Sequence, residues 1–372
     1  VYPDRTVHTG LLEYKNVYRP VRVVSYDKES GELVLHNYMD FDDLKDYVKI
    51  SYELTQDGLV ISKGILSEFS VASHGEGKTN LKISVPENGK CYLKLIYYLK
   101  KEMPLLEENH ILGFDEIEVS QKDAKCQLAE KWLEKTATDS ELQVNEDDTQ
   151  IHIKGREFAY TIDRRTALFT EMKFAGREYL NHPMELNIWR APTDNDMYIK
   201  AEWKKAHYDK AYTRAYTTEV VQGKHGVKIV SHASVVAETV QKILDVTITW
   251  KIDASGKIDA DIEATKDGEF PDLPRFGVRM FLDKKLSDAR YFGMGPQESY
   301  RDKHQAASHG LYRANVRDLH EDYIRPQENG SHYDCGYVEL NNSRYGMAAF
   351  SESTFSFNAS YYTQEELEKK TH

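Results

Sequence analysis

Arg190, Asp194, Asn195 and Asp196 fall within seven residues, in the stretch Asn187-Ile-Trp-Arg-Ala-Pro-Thr-Asp-Asn-Asp196. A guanidinium, two carboxylates and a carboxamide this close can grip a sugar, hold a hard cation, or pair with one another in a salt-bridged turn. Leu186, Ile188 and Trp189 supply the apolar bulk of a strand end. Pro192 forbids further ladder pairing, and Thr-Asp-Asn-Asp is a run of turn formers. On spacing alone the salt-bridged turn is the plainer reading. A second polar set, Glu298 and Tyr300, sits in Tyr291-Phe-Gly-Met-Gly-Pro-Gln-Glu-Ser-Tyr-Arg-Asp302. Gly293-Met-Gly-Pro lacks the third glycine of a dinucleotide fingerprint, and its proline removes an amide from any phosphate cradle. Close backbone packing explains those glycines, with Glu298 and Tyr300 placed in a pocket or an interface.

Other chemistries find little support. Ala72-Ser-His-Gly-Glu-Gly-Lys-Thr79 nearly matches a phosphate-binding loop. That loop needs a helix N-terminus behind it, and Asn80–Val85 alternates like a strand, which leaves a mobile turn between strands. The 14 histidines include no His-x-His and no His-Glu-x-x-His. His304 and His309 are five apart, off a shared helical face. No Gly-x-Ser-x-Gly elbow and no Cys-His arrangement is present.

The bulk properties are those of a soluble multidomain chain. Its 372 residues exceed one ordinary core, and 40% hydrophobic with 30% charged residues shows no disordered bias. A net charge of −12 disfavours nucleic acid and anionic membrane as partners. Cys91, Cys126 and Cys335 are far apart and odd in number, which fits buried thiols in a reducing compartment. No apolar run approaches the roughly 20 residues that span a bilayer. The chain opens on Val1 without methionine, as expected of a piece of a longer polypeptide.

Four segments follow from the patterning. Residues 1–17 read as an entering loop. Residues 18–119 carry short alternating runs at Glu32–Tyr38, Tyr47–Leu54, Gly58–Ser62, Asn80–Val85 and Tyr92–Tyr98, with a hairpin signal at Gln56-Asp57-Gly58. These predict an immunoglobulin-like β-sandwich without its usual disulfide or core tryptophan. Residues 120–146 are charged and proline-free, a linker in which Leu128, Trp132 and Leu133 mark one side of a short helix or wrap. Residues 147–372 hold further strands, at 151–154, 158–162, 227–230, 243–250, 258–262, 276–282 and 348–351, which predict a large antiparallel two-sheet domain. Helix is expected only at Ala201–His207 and after the Thr363-x-x-Glu366 capping box.

Arg190-Ala-Pro-Thr-Asp-Asn-Asp196, Glu202-Trp-Lys-Lys-Ala206, Gly295-Pro-Gln-Glu298 and Pro326-Gln-Glu-Asn-Gly330, in that order, resemble the C-terminal part of bacterial β-galactosidases of glycoside hydrolase family two. The resemblance implies that residues 1–17 leave an upstream catalytic barrel and that 18–119 are the fourth domain. It makes 147–372 most of the fifth, a β-supersandwich like that of galactose mutarotases, incomplete at its C-terminus because the family continues past this point, its sugar-stacking tryptophan lying beyond His372. The implied parent reaction is retaining hydrolysis of terminal β-D-galactosides such as lactose. Both catalytic carboxylates belong to the barrel, so no catalytic residue is expected here.

Arg190, Asp194, Asn195 and Asp196 are then expected at the active-site rim. Met197-Tyr198 replaces an Ile-Gly hinge of well-known members, and tyrosine has far less backbone freedom than glycine. No cofactor is implied for this stretch. Mg and Na ions belong to the parent enzyme, with no ion site fixed here. Implied partners are the β-galactoside, the barrel and further copies of the parent chain, in a cytoplasmic setting. Three alternatives remain: the second subunit of a two-chain enzyme, which would lack the leading sandwich; a stand-alone galactoside-binding module; and an aldose epimerase of mutarotase type, needing a histidine base and a carboxylate in one pocket.

Overall fold

The structure, a computed structural model, describes residues 1–120, 129 and 142–371. The helix or wrap expected around Leu128, Trp132 and Leu133 lies outside the described residues, as does Cys126. After α1 (Thr9–Val17) come β1 (Val21–Tyr26), β2 (Glu32–Asn37), a short α2 (Leu44–Tyr47), β3 (Val48–Gln56), β4 (Leu59–Leu66), β5 (Glu76–Asn80), β6 (Cys91–Leu99) and β7 (Ile111–Ser120). Alternation decides which side chains turn inward. In β6 Leu93, Leu95, Tyr97 and Leu99 are buried, and the first three meet Leu33 and Leu35 of β2 and Val48, Ile50 and Leu54 of β3 in one core. Two antiparallel sheets, ordered β1-β2-β5 and β4-β3-β6-β7, enclose that core as an immunoglobulin-like sandwich.

Three details differ from the sequence reading. Residues 9–17 are helical, because the His8 ring nitrogen caps Gly10 N and buried Asn16 bonds Phe114 N (2.7 Å) and Gln305 O (2.8 Å). Asn16 O also accepts from Arg19, whose other amine pairs with Asp115 at 2.5 Å. These long-range anchors leave no local periodicity to read. The strand after the phosphate-loop look-alike starts earlier, at Glu76, so Lys78 and Thr79 pair with β2. Residues 81–86 keep inward-leaning Leu81, Ile83 and Val85 but lie in no strand. Cys91 is buried and free, as is Cys335.

The middle of the chain holds β8 (Gln143–Glu146), β9 (Gln150–Lys154), β10 (Phe158–Asp163), β11 (Leu168–Phe174), β12 (Arg177–Glu178), β13 (Leu180–Asn187), α3 (Ile199–Lys205), β14 (Tyr212–Gln222), β15 (Gly226–Ala237), β16 (Val240–Asp253), β17 (Ile258–Lys266) and β18 (Gly277–Leu282). Their sheets are β12-β11-β10-β9-β8, β14-β15-β16-β17 and the pair β13-β18. Gln143–Glu146, expected in the linker, is a strand because Val144 pairs opposite Ile153. Trp250 is buried, and its indole N–H donates to Ala167 O at 2.8 Å. A last sheet, β20-β19-β21-β22, is made by β19 (Asp288–Gly295), β20 (Ser308–Asn315), β21 (Ser331–Asn341) and β22 (Gly346–Asn358); α4 (Gln364–Lys369) follows on the expected Thr363–Glu366 capping box. Every strand pair described is antiparallel, and the chain is all-β.

Two compact units result. One is Val1–Trp132 with Ser287–Ile324 and Asn329–Tyr361; the other is Leu133–Leu286 with Arg325–Glu328 and Tyr362–His372. The sequence-read boundary near residue 147 does not coincide with this division. The reason is packing: Phe292 and Tyr337 of the last sheet share a cluster with Tyr92 of the first sandwich. No helix among the described residues is long and apolar enough to cross a membrane.

The expected hairpin at Asp57-Gly58 forms, with φ of +48° and +82°. Gly58 also carries a contact between the sandwich and the last sheet. Its O accepts from Leu311 N at 3.1 Å, and a Cβ there would stand 2.4 Å from that nitrogen. Gly176 has a similar φ of +76°, and a Cβ added to it would find nothing within 4 Å. G58A should therefore lower unfolding stability by about 2 kcal/mol or more, from φ strain plus the clash. G176A should cost about 1 kcal/mol, from strain alone. Urea denaturation of both variants checks this; equal losses would contradict the close approach of Leu311.

Candidate functional site

The turn after β13 is built from its last apolar residues outward. Ile188, Trp189 and Ala191 are buried, which fixes the backbone on either side of Arg190. Arg190 then grips Asp196 with two bonds, Nε to Oδ2 at 3.1 Å and Nη2 to Oδ1 at 2.7 Å. Asp196 Oδ2 also accepts from Thr193 N (2.9 Å) and Thr193 Oγ1 (3.0 Å), which closes a single 3-10 turn, Asp194–Asp196. Asp196 is 5% exposed. Three donors converge on Oδ2 and one on Oδ1, so this buried carboxylate is committed to closing the turn, with spare acceptor capacity only on Oδ1.

Aromatic rings support the pair. The guanidinium of Arg190 lies 5.5 Å from the Trp203 ring centroid, and Trp203 meets Trp189 edge to face at 6.2 Å. Trp203 sits on α3, and its indole N–H donates to Asp272 O at 2.8 Å. Lys204 lies 4.8 Å over Trp189 and pairs with Asp209 and Glu368.

Sequence reasoning assigned no role to Gln327, Glu328 or Arg275, yet these residues dock on the turn. The Gln327 side chain accepts from Asp194 N (3.1 Å) and donates to Asp194 Oδ2 (3.2 Å). Glu328 N donates to Ala191 O at 3.1 Å, and its buried carboxylate pairs with Arg275. The Pro326-Gln-Glu motif was visible in the sequence; its partner was not, because about 130 residues separate the two. Asp194, Asn195, Met197 and Tyr198 lie at the surface, Tyr198 exposed by 82%. Of the four expected rim residues, Arg190 and Asp196 are thus engaged with each other, and Asp194 and Asn195 face solvent.

Glu298 and Tyr300 belong to the other unit. Glu298, 8% exposed, accepts from Lys303 Nζ (2.6 Å), Gly330 N (2.9 Å), Thr9 Oγ1 (3.2 Å) and the Tyr323 hydroxyl. Burial opposes its ionisation, but Lys303, Tyr323 and the Gly330 amide outweigh it and hold the carboxyl below the usual glutamate range. The cluster ties α1 to Lys303, Tyr323 and Gly330. Tyr300 is half-buried and exchanges backbone bonds with Lys303. The glycines before them pack closely, as expected: a Cβ on Gly293 would meet Cys335 Sγ at 2.2 Å.

Known proteins match most of this chain. Residues 154–372 match the family described as "Beta galactosidase small chain", and residues 33–120 match "Beta-galactosidase, domain 4". The chain belongs to the β-galactosidase small-chain family. It is 40% identical over 374 residues to a β-galactosidase of Actinobacillus pleuropneumoniae, covering 100% of this chain and 36% of the relative. A β-galactosidase of Staphylococcus xylosus is 30% identical over 375 residues, covering 100% and 37%. One of Lactobacillus delbrueckii subsp. bulgaricus is 27% identical over 354 residues, covering 93% and 33%. The chain thus spans about a third of the length of these β-galactosidases.

The geometry separates the two aspartates of the turn. D196N removes the charge facing Arg190 and should lower stability by about 2 kcal/mol or more, on the scale of breaking a mostly buried pair. D194N keeps an acceptor for Gln327 at an exposed position and should cost less than about 1 kcal/mol. Urea denaturation distinguishes them; equal losses would contradict the assignment.

Proposed function

We propose that this chain is the non-catalytic C-terminal part of a β-galactosidase that hydrolyses terminal β-D-galactosides, lactose among them, with retention. It supplies packing, subunit contacts and part of the active-site rim. The observation that carries this reading is the division of labour in the turn. Asp196 is spent on Arg190 and Thr193, whereas Asp194 and Asn195 reach solvent beside it. Exposed polar side chains on a rigid turn can orient sugar hydroxyls. A buried carboxylate gripped by Arg190 and Thr193 is placed to hold the turn, not to meet a leaving group.

A retaining glycosidase needs two carboxylates about 5–5.5 Å apart across the scissile bond. In the family this chain resembles, they come from a (β/α)₈ barrel, whose strands are parallel. The strand pairs described here are antiparallel, which supports placing the chemistry elsewhere in a longer protein. The galactoside, the barrel and further copies of the parent chain are the proposed partners, and the Mg and Na ions of the parent are assigned no residue here. The −12 charge supports excluding nucleic acid and anionic membrane, and the free thiols Cys91 and Cys335 support a cytoplasmic setting.

Purified 372-residue chain should not hydrolyse a chromogenic β-galactoside above the uncatalysed rate. Turnover that survives repurification, and that D194N or E298Q abolishes, would overturn the proposal.

A further inference from the structure

His309 lies outside everything assigned above. Its side chain, 8% exposed, sits at the start of β20, where the last sheet meets the first sandwich within one unit. Nδ1 faces Glu116 Oε1 of β7 at 2.6 Å, and Nε2 faces Asp334 Oδ2 of β21 at 3.0 Å. Its backbone N–H adds bonds to both Glu116 oxygens, at 3.1 and 2.9 Å. The ring stacks on Tyr92 of β6 with centroids 3.9 Å apart and planes 4° from parallel. A neutral imidazole has one N–H and could satisfy only one of the two carboxylates; the imidazolium satisfies both. Among the described residues, no three His, Cys, Asp or Glu side chains are grouped to hold a metal ion.

We propose that His309 is an ionic catch: as the imidazolium it ties β20 and β21 to β7, and its deprotonation on the alkaline side releases that tie.

Every described element packed around the ring contributes a group of known sign. Glu116 and Asp334 are the two acceptors. Lys94 of β6 is turned aside, bonding Ser308 Oγ at 2.8 Å and lying 4.4 Å over Phe114. Further out, Glu118 acts on Tyr92, Glu53 on Lys94, and Lys90 on Asp334. Tyr92 and Tyr312 stay protonated, held up by burial, Tyr312 at about 12.

Burial disfavours the charge on His309, but Asp334 and Glu116 outweigh it and raise its pKa to about 9. A histidine raised in this way stabilises the fold fully below its unfolded value, near 6.5, and loses that contribution as pH rises through about 9. Its bond to His309 holds Asp334 down at about 2, so the Asp334 half of the catch contributes fully above about 4 and is lost as pH falls through about 2. His332, buried against Tyr291 and Phe357, is pushed down to about 4 by burial and gives an opposite dependence below pH 6.5. Global melting therefore mixes two titrations, and a local readout is required.

Hydrogen exchange by mass spectrometry on the whole chain, corrected for base catalysis, supplies one. Between about pH 7 and pH 10, peptides covering Ile111–Ser120 and Ser308–Asn315 should lose roughly tenfold or more in protection, with a midpoint near 9. H309Q, which has no titrating ring, should show no step in those peptides. D334N, which keeps the ring but removes one carboxylate, should move the step to lower pH and so tests the catch even where H309Q folds poorly. A step absent from the wild type, or unchanged in D334N and H309Q, would assign the alkaline behaviour to lysine or tyrosine and overturn the proposal.

Discussion

The bidentate pair between Arg190 and Asp196 is the constraint on which the candidate site depends. A carboxylate only 5% exposed is costly unless it is paired and hydrogen-bonded, and here Arg190 and Thr193 supply four donors, three to Oδ2 and one to Oδ1. The pair dictates the shape of what surrounds it. Closing the turn aims Asp194 at Gln327 and leaves Ala191 O free for Glu328 N. Trp203 lies against the guanidinium and packs edge to face on Trp189, so α3 must lie beside the turn. Polar residues that look like binding equipment in the sequence thus divide into those that make the turn and those it presents.

The same division holds in the other unit. Glu298, read from the sequence as a pocket or interface residue, accepts from Lys303, Tyr323, Thr9 and the Gly330 amide. It anchors α1 and the flanking loops. Glu298 and His309 thus fasten segments distant in sequence, and the charge on His309 can change near the alkaline end of the ordinary range.

Legibility followed the range of the interaction. Strands such as β2, β3 and β6 were readable because inward leucines, valines and isoleucines recur every second residue. The Asp57-Gly58 hairpin and the Thr363–Glu366 capping box were readable because each is closed by neighbours in sequence. The salt-bridged turn was readable for the same reason, since its partners are six residues apart. Helix α1 was not, because its cap is a histidine and its anchors are Phe114 and Gln305. Nor could Gln327, Arg275 or the Glu116–His309–Asp334 cluster be read, since only the folded chain brings those residues together. The resemblance carried the family and its fold; it said nothing about which polar groups were already committed.

The Asp194–Asn195 surface is proposed to shape a sugar site without taking part in bond cleavage. The direct measurement is steady-state kinetics of D194A in the longer β-galactosidase of which this chain is proposed to be the C-terminal part, alongside its melting temperature. The expected result is a raised KM, with kcat for a substrate bearing a good leaving group reduced by less than about 10²-fold, the lower edge of general acid–base contributions. A variant that melts normally yet loses about 10⁴-fold in kcat, the scale of removing a direct chemical participant, would contradict it.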